Sequence, residues 1–432
     1  MSFVEQQLSE PPVATPRYHA LDGLRALMMF LGIVLHGVLP YVASDMDVGM
    51  AIQDRGAADA RYGLVVAFIH SFRMPVFFVM AGFFAALLRD RRGARGLLIN
   101  RFRRIVVPFV VGWLIIFPLV AGNEHFFHVG GGVEGLRTVF NQFATGRLYA
   151  NPNPSYLWFL YYLMMFYPAG LAASWLARRF APHAREVFHR AFRHVLQSAV
   201  RPALFAILTA LTLWPMSLGT LDTPDSFSPS PAILTAYFVF FGFGWLLHAH
   251  ADLLPTFSRH AWKQAALALA LFPLNVFAIV VLLQTWPDFD ASARWLTIVT
   301  GALIVWLWVF GFTGLFLRYF DRPIFTMRYL TDSSYWCYLI HIPIIQWVVS
   351  LLTPVGLSSP MKILLTIGLT TAVALLTYHF GVRSTVIGEW LNGRRYPRGR
   401  AAVVSTPSAR RDDPGLVTRQ QTEQSRLSSE QV

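Results

Sequence analysis

An arginine and a histidine, Arg25 and His36, interrupt the apolar run LDGLRALMMFLGIVLHGVLPY at residues 21–41. The run has the length of a bilayer-crossing helix, roughly 20 residues. Ionisable groups inside such a span are costly to desolvate, and they ordinarily face a partner or a watery cavity that does chemistry. The two lie eleven residues apart, close to three helical turns, so they share a face about 16 Å from one another along the axis. An imidazole with an ordinary pKa of about 6.5 suits general-base work. A guanidinium suits phosphate or carboxylate groups, which it binds bidentately.

Further groups of the same kind recur. His70 and Arg73 fall in the second apolar run, one turn apart on one helical face. His341 sits within SYWCYLIHIPII, near the middle of a later run. Arg101 and Arg104, in NRFRRIVVPF, are spaced i and i+3 and are expected to face inward beside Arg25 as a phosphate cradle. Each has a plainer reading: buried polar pairs that only fix helix packing, and loop arginines that only orient the chain. Trp158 in LWFLYY stands where an interfacial aromatic belt residue would. His125 and His128 lack an accompanying carboxylate motif and read as an interfacial aromatic loop, so no metal site is expected. The single cysteine, Cys337, excludes an intrachain disulfide and any multi-cysteine metal site.

The elements that must position these residues are membrane helices. The 432-residue chain is 55% hydrophobic and only 14% charged, with mean hydropathy +0.47. The hydrophobicity falls in blocks of crossing length, and the fold class expected is all-α, a polytopic membrane protein. Ten spans are predicted, near 21–41, 63–88, 105–122, 155–176, 198–218, 232–249, 262–284, 295–317, 334–352 and 361–385. The net charge of +13 collects in alternate loops, from Arg89 to Arg104, Arg178 to Arg201 and Arg318 to Arg328, and in the tail. That bias places both termini in the cytoplasm and argues against nucleic acid as a partner. The first run exceeds a signal-peptide core in length and is expected to stay as a span.

Three domains follow: a cytoplasmic segment 1–20, a membrane domain 21–390, and a basic, polar tail 391–432 expected to be disordered. Residues 123–154 read as a long extracytoplasmic loop. Residues 178–197 read as an amphipathic helix on the inner leaflet, held by its apolar face and by anionic lipid. No Walker loop, GxSxG or Rossmann fingerprint is present.

The block RYHALDGLRALMMFLGIVLH resembles the opening of the acyltransferase 3 family of bacterial membrane proteins. IHSFRMPVFFVMAGFF (69–84), RFRRIVVP (101–108), LWFL (157–160) and SYWCYLIH (334–341) follow in that family's order. The second block resembles most the branch linked to succinylation of periplasmic glucans. The resemblance covers the first four spans and the ninth. It implies an inner-membrane enzyme with no permanently bound cofactor, taking an acyl group from cytoplasmic acyl-CoA, as succinyl-CoA or acetyl-CoA, to a glycan beyond the membrane. Envelope-polysaccharide biosynthesis proteins are the partners it suggests.

It further implies that His36 is the catalytic histidine, Arg25 its paired arginine, and Arg101 with Arg104 the donor-binding pair before Pro108. On the residues themselves, His70, Arg73, Trp158 and His341 are expected to shape the acceptor cavity. Two departures stand out. The glutamate that many members carry after the LWFL tryptophan is absent, Trp158 being followed by Phe159-Leu160-Tyr161-Tyr162-Leu163, and Ala81-Gly82-Phe83 replaces SGF or SGY. The competing class is a proton-coupled exporter of a sugar or anionic metabolite, against which stands the lack of inverted-repeat symmetry.

Overall fold

The computed structural model describes residues 18–43, 50, 52–285, 288, 290–393 and 395–396. Among these the chain is helical without strands, as the hydropathy blocks require. The helices are α1 (His19–Val38), α2 (Tyr62–His70), α3 (Arg73–Arg101), α4 (Val107–His128), α5 (Gly132–Ala144), α6 (Trp158–Phe180) and α7 (Pro182–Gln197). They continue as α8 (Arg201–Leu213), α9 (Pro231–His248), α10 (Ala261–Gln284), α11 (Ala291–Tyr319), α12 (Phe325–Leu352), α13 (Ser359–Thr377) and α14 (Val386–Asn392). Among the described residues eight segments are long and apolar enough to cross a bilayer, and one of them, Tyr62–His128, runs for 67 residues through α2, α3 and α4. The fifth predicted span is a shorter helix, α8, of 13 residues. At 1.5 Å per residue it covers about 20 Å, less than a full hydrocarbon thickness.

The first helix is the hub. α1 touches α2, α3, α11, α12 and α13, and buries Leu21, Leu24, Met28, Ile33 and Leu35 among them. Beside it, α3 and α9 cross backbone to backbone. A Cβ on Gly82 would stand 2.0 Å from the carbonyl oxygen of Phe241, and one on Gly244 would stand 1.9 Å from that of Val79. Small residues permit such approach where apolar burial against lipid gives helices no reason to associate. The glycine kept in Ala81-Gly82-Phe83 is therefore a packing requirement. Aromatic side chains fill the space alongside, with Phe78, Trp158, Tyr162, Phe166, Tyr237, Phe240 and Trp306 all buried.

Several expectations change. The 123–154 loop is largely helical: α4 runs on to His128, and α5 folds back against it. The reason is local. Pro118 cannot donate to the carbonyl of Leu114, and the Tyr149 hydroxyl donates to that oxygen instead at 3.0 Å, while Trp113 donates to the carbonyl of Asn153 at 2.8 Å. The amphipathic helix is present as α7, but its Phe192 and Leu196 are buried against protein, leaving Val187 and Phe188 exposed. His189 meets His250 at 3.1 Å across that seam, and burial holds both imidazoles below their ordinary range.

Tyr18 packs edge-on against Phe83 at 5.0 Å and α1 starts at His19, so residues 18–20 pack with the bundle. At the other end Tyr396 donates to Asp332 and stacks on Arg383, so residues 391–393 and 395–396 are packed too. The remainder of the tail lies outside the described residues.

The connection after α1 is held by a buried ion pair, Lys362 Nζ to Asp54 Oδ2 at 2.7 Å, with Lys362 also donating to the carbonyl of Thr353. Beside it Tyr41 bonds Thr366 at 3.0 Å. Removing one partner strands the other charge among apolar atoms. Lys362→Met is expected to destabilise the protein by about 3–5 kcal/mol, and the double variant Lys362→Met/Asp54→Leu by much less, measured as unfolding of the purified protein in detergent.

Candidate functional site

The second predicted span is broken where its charged residues stand. Pro75 lacks the N–H that would bond the carbonyl of Ser71, and its ring crowds that group. The chain therefore leaves helical geometry at Phe72 (φ −137°, ψ −24°) and begins α3 at Arg73. His70 closes α2 and Arg73 opens α3, so the two are not one turn apart on a continuous helix as the spacing implied. Broken backbone at membrane depth survives only where it is enclosed by protein or lines a cavity.

The break delivers Arg73 to α1. Its guanidinium lies so close to Gly32 that a Cβ there would come within 2.4 Å of Nη1. Gly32 is one turn before His36, whose ring stands 5.2 Å from that of His341 on α12. His70, Arg73 and His341 all lie within electrostatic reach of His36. Three residues proposed on two other runs thus form one cluster with His36. His36 and Arg73 each keep some exposed surface although both lie deep among surrounding atoms.

The hydrogen bonding of this cluster is incomplete in a specific way. His341 Nδ1 is 2.6 Å from the carbonyl oxygen of Tyr338. A carbonyl only accepts, so Nδ1 carries the proton and a neutral ring presents Nε2 as a lone pair. That Nε2, together with His36 Nδ1 and Arg73 Nε, is buried with no protein partner. Buried polar atoms are ordinarily satisfied; three unsatisfied ones on neighbouring side chains are groups that a polar ligand could pair.

The surrounding residues hold the rings in place. Pro343 frees the carbonyl of Leu339, and the Tyr156 hydroxyl donates to it at 2.6 Å. The Tyr156 ring then packs on His341 at 5.1 Å, and Tyr338 donates to the carbonyl of Tyr156 at 2.9 Å. His70 Nε2 donates to the carbonyl of Leu221 at 3.3 Å. The loop carrying Leu221 is itself tied down, Arg294 bonding the carbonyls of Trp214, Met216 and Ser217. It brings Asp222 within electrostatic reach of His70 and Tyr237. Sequence reading passed over Tyr156, Tyr338, Gly32 and Asp222; the intramembrane prolines, Pro75 and Pro343, were the available signal.

Trp158 is not an interfacial belt residue. It is 6% exposed and packs on Tyr237 at 5.3 Å and Tyr162 at 5.7 Å. Tyr237 in turn lies within electrostatic reach of Arg73. Trp158 therefore backs the cluster at one remove, because the N-terminal part of α6 packs against α3 and α9.

Arg25 gathers a second cluster at the other end of α1. It pairs with Asp22 at 3.4 Å and lies over Phe84 at 5.4 Å. Arg101 stacks over Tyr167 at 4.8 Å with its Nε buried and unpartnered, and Arg25 also reaches Tyr167 electrostatically. Arg104 departs from the inward pair expected of i, i+3 spacing. Residues Phe102–Val106 form a π-turn, whose wider winding rotates Arg104 away from Arg101. Its guanidinium abuts Gly393 at the end of α14, so close that a Cβ there would overlap Nη2. A cation is well placed against the carbonyls of a helix C-terminus. Tyr335 stays between the two arginines and donates to the Arg104 carbonyl at 2.8 Å.

A family model described as an acyltransferase domain, that of the acyltransferase 3 family, matches residues 18–379. Glucans biosynthesis protein C of Escherichia coli O139:H28 is 24% identical over 401 residues, 89% of this chain and 96% of that protein. The protein of the same name from Salmonella typhimurium is 25% identical over 413 residues, 88% of this chain and 96% of that protein. No solved structure matches the chain.

Tyr156→Phe is expected to cost about 1–3 kcal/mol, the penalty of a buried carbonyl left unmade at Leu339. Thermal unfolding of the purified variant measures it.

Proposed function

Because the chain belongs to the acyltransferase 3 family, a family of multi-pass membrane acyltransferases, we propose that it moves an acyl group from acyl-CoA to a glycan hydroxyl across the bacterial inner membrane. The chain crosses ten times with both termini in the cytoplasm, two of the crossings lying within the Tyr62–His128 run and α8 completing the count as a short one. The donor is succinyl-CoA or acetyl-CoA and the acceptor a periplasmic glucan; the relatives' name, glucans biosynthesis protein C, supports the glucan. The observation that carries the reading is the group of three unpartnered buried polar atoms, on His36, Arg73 and His341, at one level of α1, with Arg25 and Arg101 at the other.

In this reading Arg25 and Arg101 hold the phosphates of CoA, while the pantetheine arm runs along α1 toward His36. His36 takes the proton of the acceptor hydroxyl as its oxygen attacks the thioester carbonyl. The oxyanion forms beside Arg73, which is closer to His36 than Arg25 is. Collapse expels the CoA thiolate, which recovers the proton from the His36 imidazolium. His341, its Nδ1–H committed to Tyr338, offers Nε2 as an acceptor that orients the incoming hydroxyl. His70 shapes the acceptor side, Trp158 supports it, and Arg104 fastens the C-terminal helix behind the donor mouth.

Comparative mass spectrometry of envelope glycans from deletion and complemented cells tests the reaction and identifies both acyl group and acceptor. His36→Ala is expected to lower acylation by roughly 10²–10⁴-fold with normal membrane insertion; full activity would remove His36 from the mechanism. Gly32→Ala pushes the Arg73 guanidinium aside while leaving the helix intact. Roughly a hundredfold loss of acylation at near-unchanged stability is the outcome expected for a displaced catalytic group.

A further inference from the structure

A pocket of about 430 Å³ opens between α6, α7 and α9, at the end of the bundle that carries Arg25 and Arg101. Its wall on α6 is a strip of small residues, Gly170, Ala173 and Ala177, beginning one turn beyond Tyr167. On α9 it is lined by Phe241, Gly242 and Trp245, and a Cβ on Gly242 would meet nothing within 4 Å. The floor is thus a slot of hydrocarbon character. Three cations stand around it: Arg89, which pairs with Asp90 and stacks on Trp245 at 5.0 Å, and Arg178 and Arg185. Among the described residues no carboxylate lies within ion-pair distance of Arg178 or Arg185.

The two halves of the pocket call for one amphipathic occupant. A soluble anion would satisfy the arginines and leave the slot wetted; a bare hydrocarbon would fill the slot and leave the arginines uncompensated. The roof supplies the setting. α7 exposes Val187 and Phe188 on a helix that also carries Arg185 and Arg190, the composition of a helix lying at a bilayer surface.

We propose that this pocket holds one anionic glycerophospholipid from the adjoining leaflet. Its phosphate lies among Arg89, Arg178 and Arg185, and one acyl chain lies along the Gly170–Ala177 strip beside Gly242. The site is separate from the acyl-transfer cluster and does not depend on that reaction. It bears on it through Phe241, which lines the pocket and packs on Tyr167 at 5.7 Å, the ring that carries Arg101. A seated lipid braces the wall behind the donor mouth.

Native mass spectrometry of the detergent-purified full chain, with phosphatidylglycerol or phosphatidylcholine added and no acyl donor present, tests the assignment. Wild type is expected to retain one phosphatidylglycerol in preference to phosphatidylcholine. Arg178→Gln/Arg185→Gln is expected to weaken that retention about thirtyfold, as two basic contacts to an anionic lipid provide, with unfolding temperature in lipid-free detergent unchanged. Gly242→Leu, which fills the slot, is expected to weaken retention of both lipids. Equal retention of the two lipids by wild type, undiminished retention by the double variant, or displacement of the bound lipid by excess coenzyme A would overturn the proposal. The last result would assign the arginines to the nucleotide donor. The double variant decides the matter alone if Gly242→Leu does not fold.

Discussion

The contact on which the central site depends is that of a guanidinium with bare backbone. Arg73 reaches α1 only because residue 32 has no side chain, and reaches it at His36's level only because the helix before it stops at His70. Burying a cation among helices costs several kcal/mol unless something offsets it. Here no carboxylate stands against Arg73 among the described residues; its neighbours are the three imidazoles of His36, His70 and His341, with Tyr237 and Tyr338. An arrangement of that kind is left short of negative charge, which suits a site where an oxyanion has to form.

A recurring device makes such a site tolerable in a bilayer. A proline within a helix frees a carbonyl, and a tyrosine from another segment supplies the missing hydrogen bond. Pro343 with Tyr156 does this beside His341, and Pro118 with Tyr149 does it where α5 folds back on α4. Each repair also ties together segments remote in sequence. In lipid no water is present to do the same service, so an unrepaired carbonyl at that depth would be expensive.

The two charged clusters sit at opposite ends of one helix, and the intervening residues Met28 and Ile33 are packed in the core. The close α3–α9 crossing at Gly82 and Gly244 sets the position of the wall behind both. Members of the acyltransferase 3 family that carry a glutamate after the LWFL tryptophan have a carboxylate where this chain has phenylalanine and leucine. In this chain the loop between α8 and α9 brings Asp222 within electrostatic reach of His70.

Hydropathy and charge along the chain determined that it is a helical membrane protein, and singled out Arg25, His36, His70, Arg73, Arg101 and His341 as groups with no business facing lipid. The helical membrane class was legible because the cost of burying an ionised or polar side chain is local and shows in the composition of a single span. Periodicity, by contrast, reports only a residue's face and depth on its own axis. It says nothing of which helix will be its neighbour, and it assumes unbroken α-helical winding. Hence the π-turn that separates Arg104 from Arg101, the proline break between His70 and Arg73, the burial of Trp158 and the meeting of His36 with His341 were decided by the tertiary structure. Each depends on how helices are rotated and packed against one another, which close backbone contact at Gly32, Gly82 and Gly244 fixes and no single span encodes.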